Sequence, residues 1–312
     1  MTTVSEETAV DYELTARIAT AAFASADVSF SADRIKWLYE RGFGRGTIVL
    51  AALEDGNKVG QIALVGQKIC LGGEVRPAVQ LVDLFLLQSH RSAALLRQIY
   101  RKVEQVCVER GIRCVLALPN DKSVQLNARF LKLKPLLLLP IRAGVSLRQP
   151  SPKGLVYSGT VKSMPKALAL ELLSGFASSD DANGPAWDGE ALLSRLSDPT
   201  RDYAVHAAAD LLLISSSRLT KGIRHTLLCA FLARPKAEVR RTEVQELVRA
   251  ACRFWRLPVF VYAGVNARLP SLPGIALPAR LRSPILVQFR DLADEQHEPR
   301  FGHFELIDSD FA

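Results

Sequence analysis

Residues 80 to 133 run strand, turn, helix, strand, asparagine, helix, an order that calls for a layered fold on a central sheet. The extended run Val79 to Leu87 breaks at Gln88-Ser-His-Arg91, and Ala93 to Arg110 is strongly helical until Gly111 stops it. Cys114 to Leu118 is a short apolar strand ending in Pro119-Asn120. Ser123 to Lys132 reads as a further helix and Leu136 to Ile141 as the strand after it. Upstream, Ser31 to Phe43 opens on a good N-cap, places Ile35, Leu38 and Tyr39 at helical spacing and ends at Gly42 and Gly44. Thr47 to Leu53 and Gly60 to Val65 are strand patterns joined by the turn Glu54-Asp55-Gly56-Asn57, and Gly72-Gly73 makes a second turn. Helix, three-stranded meander, helix, strand, helix, strand is an α+β order on a mixed, mostly antiparallel sheet flanked by helices.

The plan recurs downstream. Trp187 to Leu196 reads as a helix, Tyr203 to Ala208 and Leu211 to Ser215 as a hairpin turned at Ala209-Asp210, and Thr226 to Ala233 as a longer strand. Arg241 to Phe254 is a helix and Val259 to Val265 a strand ending at Asn266. Aligning Asn120 with Asn266 sets Val82 to Leu87 opposite Leu228 to Ala233 at one constant offset, the pattern of an internal duplication. The turn-rich stretch Arg148 to Lys153 marks a linker, which divides the chain into 1–148 and 149–312. At 312 residues and 48% hydrophobic content, the chain can fill two packed cores.

Several functional classes fall away on composition. Cys70, Cys107, Cys114, Cys229 and Cys252 show no CxxC spacing, and the five histidines form no HxxxH or HExxH pair, so buried thiols and no bound metal are expected. The longest apolar runs, such as Pro135 to Ile141, are too short to cross a bilayer. The N-terminal MTTVSEETAVDYE has neither a basic start nor an apolar stretch, which points to a cytoplasmic protein. A net charge of +8 suits an acidic partner, but its 40 basic residues are spread along the chain, and no aromatic-basic ladder or helix-turn-helix signal points to nucleic acid.

The stretch that carries chemistry is Asp83-Leu-Phe-Leu-Leu-Gln-Ser-His-Arg91-Ser-Ala-Ala-Leu-Leu96, a strand that turns into the start of a helix. Unpaired backbone N–H groups at such a junction, with the helix dipole behind them, suit a pyrophosphate. Over roughly residues 10 to 148 the chain resembles the GCN5-related N-acetyltransferase superfamily. There an acidic strand residue, a short apolar run and an Arg/Gln-x-x-Gly-x-Gly/Ala loop follow one another at this spacing, with Arg91 on the first loop position. Pro119-Asn120-Asp-Lys-Ser123 stands where that family has a strand, an Asn and a helix start. The resemblance implies two tandem domains of this type, the second degenerate, in a bacterial-type acyltransferase that uses acetyl-CoA or another acyl-CoA.

By that resemblance Leu84 and Leu86 contact the pantetheine arm. Arg91, Ser92, Ala93, Ala94, Leu95 and Leu96 hold the pyrophosphate, and Asn120 and Ser123 form the far wall of the slot. Asp83 is the candidate base for the acceptor amine, with a structural strand carboxylate as the equal alternative. Gln80 is a possible acceptor-orienting group, His90 a possible phosphate donor, and Trp37 and Tyr39 lie on the helix that borders the acceptor pocket. Ala94 and Leu96 replace the family's two loop glycines, and Asn127 stands where its general-acid tyrosine falls. Those changes also fit a long-chain acyl group delivered by acidic acyl carrier protein, or a binding module without turnover. In the second half, Arg234-Pro-Lys-Ala-Glu238 leaves no pyrophosphate loop, and Pro270, Pro273 and Pro278 remove the helix expected after Asn266. Phe304 to Phe311 resembles an added strand.

Overall fold

The structure, a computed structural model, describes residues 2–23, 30–146, 154–177, 183–294 and 298–310. Its elements in chain order are β1 (Thr2–Glu6), α1 (Tyr12–Phe23), α2 (Ala32–Glu40), β2 (Thr47–Glu54), β3 (Asn57–Leu71), β4 (Glu74–Leu86), α3 (Ala93–Glu109), β5 (Cys114–Ala117), α4 (Asp121–Leu131), β6 (Lys134–Leu139) and β7 (Ile141–Val145). There follow β8 (Tyr157–Thr160), α5 (Lys166–Ser174), β9 (Gly184–Pro185), α6 (Gly189–Arg195), β10 (Tyr203–Ala207), β11 (Leu211–Thr220), β12 (Ile223–Ala233), α7 (Arg241–Trp255), β13 (Val259–Asn266), β14 (Ile275–Ala276), β15 (Ile285–Asp291) and β16 (His303–Glu305). The stretch expected to be a linker, Arg148 to Lys153, lies outside the described residues.

Local chemistry sets most boundaries. The Ser31, Ser92, Asn120 and Asp188 side chains each accept a backbone N–H from the first turn of the helix that follows. The β2–β3 turn bends through Asp55 and Gly56 at φ 49° and 82°, and the β3–β4 turn through Gly72 and Gly73 at 60° and 80°. Two consecutive positive φ values give the tight turn that matches strand twist. The helix α3 buries Leu95, Ile99, Tyr100, Val103, Val106 and Cys107, one stripe at helical spacing, on the first sheet.

Two mixed sheets of eight strands each form among the described residues. The first runs β1-β2-β3-β4-β5-β15-β6, the second β14-β7-β13-β12-β11-β10-β8, with β9 added beside β3 and β16 beside β13. The orders correspond strand for strand, and each holds a parallel pair with a helical crossover, β4 with β5 and β12 with β13. The duplication read from the sequence is therefore present, but its offset is not constant. Ala78 faces Cys114 whereas Thr226 faces Phe260, so the crossover is two residues shorter in the second half, as its helix is: α7 has 15 residues and α3 has 17.

The halves exchange a strand. Leu139 ends β6 in the first sheet and Ile141 begins β7 in the second, so the expected single strand Leu136 to Ile141 is split at Pro140, which has no N–H to offer a sheet. In return β15 inserts between β5 and β6 of the first sheet. Val287 and Phe289 from β15 then share one core with Leu116, Leu139 and Phe304. Of the expected C-terminal strand, only Phe304 and Glu305 pair in a sheet, as part of β16; Leu306–Asp308 form a 3-10 turn, and Phe311 lies outside the described residues.

Candidate functional site

The site is organised by a defect in β4. Gln61 faces Phe85 and Ala63 faces Val82, so β4 carries one residue more than β3 across that step. The extra residue turns at Asp83, whose φ of 50° lies in the left-handed region that Asp tolerates better than most residues. Gly60 sits opposite, where an added Cβ would meet the Phe85 carbonyl oxygen at 2.4 Å. Pairing of β4 with β5 stops at Leu81, while β4 continues to Leu86 paired with β3 only. The two strands diverge there.

Beyond β4 the chain enters α3. Ser92 Oγ takes the Leu95 N–H at 3.2 Å, while Ala93 and Ala94 are exposed at the helix start with no intrahelical partner for their N–H groups. This leaves donors and the positive end of a 17-residue dipole facing outward. Leu86 is buried, and Leu84 and Leu96 are half-buried against the same core as α3. The Arg91 side chain turns back into the fold, where it donates to the carbonyls of Leu86 (3.1 Å) and Ala22. His90 pairs with Glu54 at 2.8 Å. Across the gap, Asn120 Oδ1 caps α4 by accepting from the N–H groups of Lys122 and Ser123 and from Ser123 Oγ.

On the bulge, Tyr39 O–H donates to Asp83 Oδ2 at 2.7 Å and accepts from Gln61 Nε2 at 2.6 Å. Burial pushes the Asp83 carboxyl up to about 6, the Tyr39 hydrogen bond pulls the other way, and the charge of Asp310 adds to the rise. Gln80 Nε2 donates to Asp310 Oδ1 at 2.8 Å, and Gln80 Oε1 accepts from Gln67 Nε2 at 2.9 Å. The segment carrying Asp310 is held by Arg195, which donates to the Ile307 and Ser309 carbonyls, and by Arg34, which donates to the Asp310 carbonyl. Arg195 in turn stacks on Trp37 and Phe43, with Cζ 5.2 and 5.0 Å from the ring centroids. Sequence reading found Asp83, Gln80, Tyr39 and Trp37 but missed Gln61, Gln67 and Asp310. The two glutamines carried a signal, as polar residues inside the apolar run of β3; Asp310 carried none.

Asn127, expected from the resemblance to stand where that family has its tyrosine, is buried. It accepts from Tyr100 O–H (2.6 Å) and donates to Gln288 of the exchanged strand (3.0 Å), so it ties the helices to β15. The second half differs at its own strand divergence. Pairing of β12 with β13 stops at Leu228, and β16 then pairs with β13 over Gly264 to Asn266. The buried Glu305 carboxylate accepts from the Phe231 N–H (3.0 Å), Tyr262 O–H (2.7 Å) and Asn266 Nδ2 (3.1 Å). That gap is filled by the chain itself. Burial pushes Glu305 up to about 8 against these three donors. All five cysteines are buried and free, and no cluster of metal-ligating side chains occurs among the described residues. No helix among them is long and apolar enough to cross a membrane.

No family sequence model and no curated protein matches the chain. Solved structures do. A protein of unknown function from Enterococcus faecalis V583, described as a probable N-acyltransferase, superposes with a TM-score of 0.65 at 10% identity, covering 94% of this chain and 73% of that one. A GCN5-related N-acetyltransferase from Kribbella flavida gives 0.64 at 13% identity, over 93% and 71% of the two chains. A tandem protein of this type from the clavulanic acid biosynthesis pathway gives 0.55 at 10% identity, over 94% and 99%. With the repeated strand order and the single exchange between sheets, these likenesses identify the architecture as the tandem fold of the GCN5-related N-acetyltransferases.

Proposed function

We propose that the chain transfers an acyl group, acetyl or longer, from acyl-CoA to a primary amine. The observation that supports this most is the β4 bulge, because one left-handed residue both ends pairing with β5 and sets a carboxylate of raised pKa at the divergence. In this reading the pantetheine arm pairs with backbone at Leu84 and Leu86, and the pyrophosphate lies on the N–H groups that open α3. Asn120 and Ser123 border the slot. The amine nitrogen attacks the thioester carbonyl carbon, Asp83 takes the amine proton directly or through water, and the C–S bond breaks. The departing thiolate takes a proton from solvent, since Asn127 and Tyr100 are buried and bonded to each other.

A second donor has its own support. With the Arg91 guanidinium turned inward and Leu96 packed on the core, phosphate would lose the arginine contact that the resemblance implies. An acyl group on an acidic carrier protein would draw instead on the net charge of +8, and a salt-sensitive complex with acyl carrier protein is the expectation for that donor. The deciding experiment follows thiol release from acetyl-CoA over a panel of primary amines. Turnover is expected, and Asp83→Asn should lower kcat by about 10²- to 10⁴-fold while leaving acetyl-CoA affinity nearly unchanged. Binding without release from any amine would mark a module that holds the thioester and does not turn it over.

A further inference from the structure

The first half of the chain packs a second helix on α3, and the second half has none to pack on α7. Tyr100 of α3 stacks on Phe130 of α4 with ring centroids 5.6 Å apart, and its hydroxyl donates to Asn127. At the corresponding place after β13, Pro270 and Pro273 break the helical pattern, and Ala267 to Gly274 runs without a helix. Between α7, β7 and that segment lies a cavity of about 530 Å³. Its wall is one face of α7, formed by Arg241, Val244, Gln245, Val248 and Arg249 at the three- and four-residue spacing of a single stripe.

The lining is divided between apolar floor and cationic rim. Val244, Val248 and Phe260 are buried in one core, and Leu272 packs on it. Arg142, Arg241 and Arg249 line the same cavity, and among the described residues no carboxylate does. Arg142 is fixed in place, since it donates to the carbonyls of Pro273 (3.0 Å) and Gly274 (2.6 Å) and so holds the far rim. Arg249 Nε donates to the Gln245 carbonyl at 3.2 Å. Arg241 stands exposed on the first turn of α7. A concave surface carrying one sign of charge against apolar walls concentrates counter-charge. The volume is that of pockets that hold organic molecules, well beyond the needs of an inorganic ion.

We propose that this cavity binds an amphipathic carboxylate, in the simplest case a medium-chain fatty acid. Its chain lies on Val244, Val248, Phe260 and Leu272, and its head meets the guanidinium groups of Arg241 and Arg249, whose planar fork suits a carboxylate. The site belongs to the second sheet and is separate from the proposed thioester slot on the first, so it stands whether or not the chain transfers acyl groups.

Calorimetric titration of the full chain with decanoate, decyltrimethylammonium and acetate, each below any micellar concentration, tests chain and charge separately. Decanoate should bind at least about tenfold more tightly than either of the others. Arg241→Gln removes one charge at an exposed position, and Val145→Trp fills the cavity from a residue that is 63% exposed. Each should weaken decanoate at least about tenfold while near-UV dichroism and any acetyl-CoA binding stay those of the wild type. Equal affinity for decanoate and the ammonium, or for decanoate and acetate, overturns the proposal. So does decanoate affinity unchanged in either variant, which would place the amphiphile elsewhere, or loss of acetyl-CoA binding in both, which would make the cavity a cofactor site. Decanoate binding of the expected pattern in a chain that does not bind acetyl-CoA would sustain this site and overturn the acyl-transfer reading.

Discussion

Asp83 sits where three demands coincide: a left-handed backbone, a tyrosine hydroxyl on its carboxylate and a second aspartate nearby. Burial outweighs the hydrogen bond and lifts its carboxyl from 3.8 to about 6. A base raised to that value is largely ionised at neutral pH and lost below it. Turnover at saturating acyl-CoA should therefore fall as pH drops through about 6, and Asp83→Asn should abolish that limb along with most of the rate. A rate that ignores pH between 5 and 7 would remove Asp83 from the role of base. Asp83 could be found in the sequence because an acidic residue interrupts an apolar strand. Its counterpart Asp310 could not, because what brings them together is a hydrogen bond to Gln80 across 230 residues of chain.

At the scale of elements, Asn127, which departs from the pattern the sequence resembles, acquires a physical reason. Asn127 is the link between Tyr100 on α3 and Gln288 on β15. Asn127→Ala would leave the buried Tyr100 hydroxyl without its acceptor and Gln288 Oε1 without its donor, a loss of about 1–3 kcal/mol read from the urea midpoint. Loss of less than a few tenths of a kcal/mol would mean that water replaces the side chain. Helices α2, α3, α4, α6 and α7, the hairpins and the strand-to-helix junction were legible because caps, turn glycines and periodicity act locally, whereas α1 and α5 were not read. The strands that helix patterns do not bracket, β1, β8, β15 and the short β9 and β14, were not, and β16 was read only as part of a longer strand. Leu136 to Ile141 read as one strand because its apolar run does not say which sheet each end joins; Pro140 is the only local mark of the crossing.

On the scale of the whole molecule, the exchange makes one folding unit of two similar sheets. The proposed division of the chain near residue 148 is crossed in both directions, by β7 in the second sheet and β15 in the first. A fragment of residues 1–148 lacks the strand between β5 and β6 and should fail to give a cooperative unfolding transition, whereas the full chain should melt in one step. Two separate transitions would show the sheets to be independent. On the proposed acyl-transfer reading the same asymmetry gives one thioester per chain, since Glu305 fills the second divergence and leaves the first. The most direct measurement is calorimetric titration of the full chain with acetyl-CoA, beside Ala94→Glu, which sets an anion on the exposed start of α3 where it favours the helix and opposes pyrophosphate. The account predicts one site per chain and at least about tenfold weaker binding in the variant. Two sites per chain, equal affinity in Ala94→Glu, or no binding at millimolar acetyl-CoA would contradict it.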